Sequence, residues 1–265
     1  MKLLTRRKLS SLLLMSALSF SAHADTRHWQ QADYILSSFI DITLNREHAG
    51  HSGQLNKWLQ PIRYQIDDRT GDQALHRKMV ADHLYHLAFI TGLDIKPAAM
   101  SEKANLRIIF ASEQDLDRSL SDDFGLSDDT FRRQIIHDSV CLARVKASKK
   151  GEIISAGVII PVDRARAHGK LMSCVVEELT QVLGLVNDSA KVFPSIFNDR
   201  SFNDFLSGLD YVLLKLLYEP EIEAGMRQTE IEQQLKLILS RPASQSLIDT
   251  AEQAVQQHSL ENWLN

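Results

Sequence analysis

Glu177, Glu178, Gln181, Asn187 and Asp188 lie around a glycine, Gly184, in the segment EELTQVLGLVND. Residues four apart on a helix share a face, so Glu177 and Gln181 project together with Glu178 beside them. The glycine permits a sharp turn that brings Asn187 and Asp188 back toward the helix. Such an all-oxygen cluster suits a hard divalent ion such as calcium or magnesium better than zinc, which prefers imidazole and thiolate. Adjacent Glu177 and Glu178 diverge by about 100° around the helix, which works against both facing one ion. Desolvation could instead raise one carboxyl and equip Glu178 as a general acid or base. A plainer reading stands beside these. Met172, Val175, Val176, Leu179, Val182 and Leu183 form an apolar stripe, and the carboxylates are then the polar back of an amphipathic helix.

Other constellations are looser. Asp82, His83 and His86 sit within one helical turn, and His48 and His51 share a Gly-rich loop. His137-Asp138 and His168 have no evident partner. No Gly-rich phosphate loop, nucleophile elbow or Ser/His/Asp order is present.

The chain opens with Lys2, Arg6, Arg7 and Lys8, an apolar stretch from Leu9 to Phe20, and Ala22-His23-Ala24. A charged start, a short apolar middle and small residues at the end predict a signal peptide over 1–24, cleaved after Ala24, and a periplasmic or secreted product. Removing four basic and no acidic residues takes the formal charge from −4 to −8. That balance argues against nucleic acid as a partner, which needs clustered Lys and Arg. No further apolar run reaches the roughly 20 residues of a membrane span, so no stable membrane insertion is expected after cleavage. Cys141 and Cys174 are the two cysteines. In an oxidising compartment they are expected to form a disulfide tying a strand to the motif helix.

Periodicity supplies the elements that must position these residues. A helix is predicted over Trp29–Leu44, a strand over Trp58–Ile66 weakened to an edge by Pro61, and a helix over Asp72–Thr91 stopped by Gly92. A buried strand over Asn105–Phe110 precedes a short helix capped by Ser112 and an acidic loop over Ser121–Asp129. Strands over Val140–Ala147 and Ile153–Ile160 flank a Lys149-Lys150-Gly151 turn, and the motif helix spans Ala165–Leu183. An apolar helix over Asp204–Tyr218 and two polar amphipathic helices, Thr229–Ser240 and Ser244–Gln257, follow.

The spacing of Glu177, Glu178, Gln181, Gly184 and Asn187 resembles the metzincin zinc-protease motif, with carboxylate and amides at the three histidine positions and Glu178 at the general base. Ser195-Ile196-Phe197 resembles the Ser-Ile-Met turn beneath the metal in that group, with Phe197 for methionine. The chain is also similar to an uncharacterised family of secreted bacterial proteins sharing the Glu-Glu-x-x-Gln helix, the Ser-Ile-Phe turn and the Leu217-Tyr218-Glu219-Pro220 segment. The resemblance implies an α+β, zincin-like fold with a mixed sheet, an N-terminal helix, a motif helix and C-terminal helices. With the leader and the change of composition after Pro220, it divides the chain into a leader (1–24), a helix and loop (25–57), a zincin-like domain (58–220) and a helical appendage (221–265). It further implies a degenerate cleft without zinc, serving binding or scaffolding with a protein or peptide partner. An unusual peptidase-like hydrolase using Glu178 and a structural envelope protein are the alternatives.

Overall fold

Leu106–Ala111 (β3) carries five buried residues out of six, broken by Arg107, the pattern of a strand covered on both faces. In the computed structural model, which describes residues 28–44, 53–198, 200 and 203–264, this strand is the centre of a five-stranded mixed sheet. The order is β2 (Ile95–Pro97), β1 (Ile62–Asp68), β3, β5 (Ile153–Pro161), β4 (Leu142–Ala147). β1, β2, β3 and β5 run parallel, and β4 pairs antiparallel to β5 at the edge. Helices cover both sides. Leu106, Ile108, Phe110, Ala156, Val158 and Ile160 pack into a large core with α2 (Gln73–Thr91) and α6 (Leu171–Gln181). Ile109, Ala111 and Ile159 meet a smaller cluster under α3 (Leu116–Asp122) and α4 (Asp129–Asp138).

Behind the large core, α7 (Gly208–Leu217) is buried on nearly every side. It packs against α1 (Ala32–Leu44), α2 and α9 (Pro242–Val255), while α8 (Gln228–Leu239) packs on α1. Among the described residues no helix is long and apolar enough to cross a membrane. The predicted leader and the His48/His51 loop lie outside the described residues.

Several expected boundaries are corrected. The first strand begins at Ile62 rather than Trp58 and lies inside the sheet rather than at its edge. Pro61, lacking an N–H, sits just before the ladder and does not interrupt it. The single helix expected over Ala165–Leu183 is two, α5 (Val162–Ala167) and α6, because Gly169 adopts φ 67° between them. β2 and α4 were not anticipated. The first is three residues long, and the second has a polar composition in which Asp128 caps the helix by accepting from Thr130 and Phe131 N–H.

Cys141 and Cys174 are bonded as expected, with Cα atoms 5.9 Å apart, joining the start of β4 to α6. Closing a loop with a sequence separation of 33 restricts the unfolded chain. Replacing both cysteines by serine should therefore lower unfolding free energy by about 3–4 kcal/mol, read as a shifted guanidinium midpoint. An unchanged midpoint would remove the disulfide from the stability account.

His83 is wholly enclosed between α2 and α6, with Nε2 3.0 Å from the Val176 carbonyl and 3.1 Å from Thr180 Oγ1. Burial, then the neighbouring His86, lowers its pKa to about 3; burial, then His258, lowers that of His86 to about 4. An unfolded histidine takes its proton near pH 6.5, so these two contribute stability that is full above that pH and is lost as the solution is acidified toward pH 4 and below. The expected loss at pH 5 is about 2 kcal/mol for each. Urea midpoints at pH 7 and pH 5 should differ accordingly, and by less in His86→Gln.

Candidate functional site

α6 ends at Gln181, and the chain turns through Val182 and Leu183 to Gly184, whose φ is 121°. A β-carbon on residue 184 would lie 2.3 Å from the Asn56 carbonyl oxygen, so the bend admits glycine alone without rearrangement. The same crossing segment secures the helix end. Trp58 Nε1 donates to the Val182 carbonyl at 2.8 Å, and the Tyr218 hydroxyl donates to the Leu183 carbonyl at 2.7 Å. The Trp58 N–H reaches the Tyr218 hydroxyl at 3.3 Å, closing the contact between three chain segments.

On the two sides of the bend, Glu177, Glu178 and Gln181 before it and Asn187 and Asp188 after it all line one groove of about 820 Å³. The groove runs between α6, the edge strand β4 and the α3–α4 segment. Glu178 is 7% exposed, whereas Glu177 and Gln181 are half-buried. Gln181 Nε2 donates to Asp188 Oδ1 at 2.8 Å, linking the helix to the returning chain across the bend. Asn187 donates from Nδ2 to the Asp41 carbonyl at 2.8 Å and from its backbone N–H to the Ile42 carbonyl at 3.1 Å, fastening that chain to α1.

The Ser195-Ile196-Phe197 turn is buried, and a residue that the sequence reading overlooked organises it. Asp210 on α7 accepts from Ser195 Oγ at 2.6 Å, Ile196 N–H at 3.0 Å, Ser207 N–H at 2.8 Å and Ser207 Oγ at 2.9 Å. Its signal was the Ser207-x-x-Asp210 capping box opening the apolar run of α7. Phe197 returns its carbonyl to the Ser189 N–H at 2.8 Å, so the turn is tied to the segment that follows Asp188. Burial pushes the Asp210 carboxyl up to about 6, against the four donors that favour its ionised form.

The donor set does not fit zinc. One carboxylate and two amides occupy the spacing, and neutral amide oxygens are weak ligands for zinc, which takes imidazole and thiolate. Among the described residues no three His, Cys, Asp or Glu side chains gather as metal ligands. Asp82, His83 and His86 do not converge either. Both histidines turn into the core, while Asp82 stays outside with Lys78 at 2.6 Å and the Trp263 indole at 3.1 Å. His137 contacts its own neighbour, Asp138 Oδ1, at 2.7 Å.

A family profile described as a protein of unknown function, DUF2927, matches residues 32–237. The chain belongs to the DUF2927 family. No curated protein and no solved structure matches it. The DUF2927 match takes in the sheet, the motif helix, the bend, the Asp210 turn and α7, so every groove residue named above lies within the shared region.

Asp210→Asn replaces one acceptor oxygen by a donor that must face other donors. The variant should lose about 2–3 kcal/mol of stability and about 4–12 °C in melting temperature, measured by calorimetry. A melting temperature equal to that of the parent would show that the turn does not depend on the carboxylate.

Proposed function

We propose that this DUF2927 chain is an exported, zincin-like domain whose metal site is degenerate and whose groove binds an extended segment of a protein partner without cleaving it. The observation that carries the reading is the gathering of Glu177, Glu178, Gln181, Asn187 and Asp188 along one groove beside an antiparallel edge strand. The glycine bend and the buried Ser195-Ile196-Phe197 turn follow in the order the zincin resemblance requires. The predicted leader and the disulfide support export. An edge strand leaves main-chain donors and acceptors for a peptide to complete, which makes an extended polypeptide the natural occupant.

A hydrolase is the second reading, favoured by the burial of Glu178 in the groove, where desolvation would suit a general base. A random linear peptide library panned on the purified protein separates the two. Recovered peptides should bind the parent and Glu178→Gln alike and stay intact by mass spectrometry, and both proteins should hold substoichiometric zinc. Fragments made by the parent and not by Glu178→Gln would establish the hydrolase. One zinc per chain, lost in Glu177→Ala, would overturn the degenerate site, and a library yielding no binder would remove the peptide-binding reading.

A further inference from the structure

The two walls of the groove differ in chemistry, and the strand between them determines which side chain of a bound segment meets which wall. In β5 the Ala156 N–H donates to the Asn105 carbonyl at 2.8 Å, toward β3. Ala156 and, two residues on, Val158 therefore turn their backbone polar groups away from β4. Their partners across the antiparallel ladder are Val145 and Ala143. Those two residues direct N–H and C=O outward from the sheet, on the side where no strand of the described residues pairs with β4, while Leu142 and Arg144, opposite Ile159 and Gly157, bond inward to β5.

A strand laid along this edge pairs with Ala143 and Val145. Its side chains at those positions fall on the sheet face of Ala156 and Val158, which α6 covers. The intervening side chains fall on the face of Ile159, which α3 and α4 cover. The α6 wall presents Glu177 and Glu178, with Asp188 beyond the bend, whereas the opposite wall presents Leu126, Phe131 and Ile135, with one carboxylate, Asp138, at the end of α4. Among the described residues the basic side chains lining the groove are Arg144 and Lys170, and the Arg144 guanidinium is committed to the Phe124 carbonyl.

We infer that the groove selects an extended segment in which basic residues alternate with apolar ones, the basic side chains facing α6 and the apolar side chains facing α3 and α4. The inference rests on the peptide-binding reading above and adds the chemistry of the occupant. A second copy of this chain is a poor fit. Pairing β4 with β4 about a two-fold axis would set Arg144 and Lys146 against the apolar wall and Ala143 and Val145 against the carboxylates, the reverse of what each wall complements.

The test uses fluorescein-labelled hexapeptides of alternating Lys-Leu, Thr-Leu and Glu-Leu, and a block peptide of three lysines followed by three leucines, titrated with the purified chain at low and high salt. The Lys-Leu peptide should bind about tenfold or more tightly than the Thr-Leu and block peptides, with the advantage shrinking in salt, and Glu-Leu should not bind. Glu177→Lys should invert the preference between Lys-Leu and Glu-Leu. Val145→Pro deletes an outward donor and no ladder bond, so it should weaken Lys-Leu binding about tenfold while the circular dichroism spectrum is kept. An N-methylated Lys-Leu peptide carries the same test with the protein unaltered. Equal affinity for the Thr-Leu or block peptide, with Val145→Pro still weakening binding, would overturn the alternation and leave the groove reading standing. Binding indifferent to both Val145→Pro and N-methylation, or no binding by any peptide, would sink both.

Discussion

The contact between the Asn56 carbonyl and the bare α-carbon of Gly184 is the constraint on which the groove depends. Because no side chain intervenes, the Asn56-Lys57-Trp58 segment passes directly beneath the end of α6 and delivers the Trp58 indole to the Val182 carbonyl. Helix ends leave carbonyls without partners, and here Trp58 and Tyr218 supply donors from two distant parts of the chain. The direction in which Leu185–Asp188 leaves the helix is thereby settled, and with it the placing of Asn187 and Asp188 along the same groove as Glu178. Lys57 anchors the crossing segment from the other side, donating to the Ile222 carbonyl at 2.6 Å; burial brings its pKa down to about 8, so the anchoring cation is largely retained at neutral pH.

Buried polar groups act as fasteners between elements elsewhere in the core, and they titrate in opposing directions. His83 joins α2 to α6 in its neutral form, and acid charges it at a cost. Asp210 joins α7 to the Ser195 turn, and its raised pKa means that the native state holds the proton more firmly than the unfolded chain does. Its contribution is greatest below about pH 4 and declines until the carboxyl has ionised above pH 6. Between pH 7 and pH 5 the carboxyl offsets roughly 1 kcal/mol, against about 4 kcal/mol lost through the two histidines, so the histidines set the sign.

Elements with strong patterning were legible in the sequence. The continuous apolar run of β3, the amphipathic spacing of α2 ended by Gly92, and the apolar helix that became α7 rest on local periodicity that tertiary contacts reinforce. The disulfide was legible because two cysteines in an expected oxidising compartment admit one intramolecular pairing. What escaped depended on long-range context. β2 exists because β1 offers it an edge, α4 because Asp128 and Arg132 supply caps and ion pairs that hydropathy does not register, and Asp210 because its partners lie 14 and 15 residues upstream. For the site, spacing carried Glu177, Glu178, Gln181, Asn187 and Asp188 to one groove, but the partner of the Asn187 amide could not be read without the position of α1.

The partners of the two amides bear on how the motif spacing can be retained without imidazoles. On the proposed reading, the ancestral arrangement used a metal to hold the helix, the bend and the returning chain together, and losing its ligands should have freed the segment after Gly184. Here the Gln181 to Asp188 hydrogen bond spans that gap directly, and Asn187 takes a carbonyl on α1. Each such bond contributes about 1 kcal/mol net, less than a bound ion would, so neither alone could hold the loop. The remaining restraint comes from the Trp58 and Tyr218 donors and from the Ser189 N–H bonded to Phe197 above the buried Asp210. The restraint on the returning chain is thus distributed over hydrogen bonds of ordinary strength. The groove keeps a fixed wall, and that wall presents the carboxylates of Glu177 and Glu178.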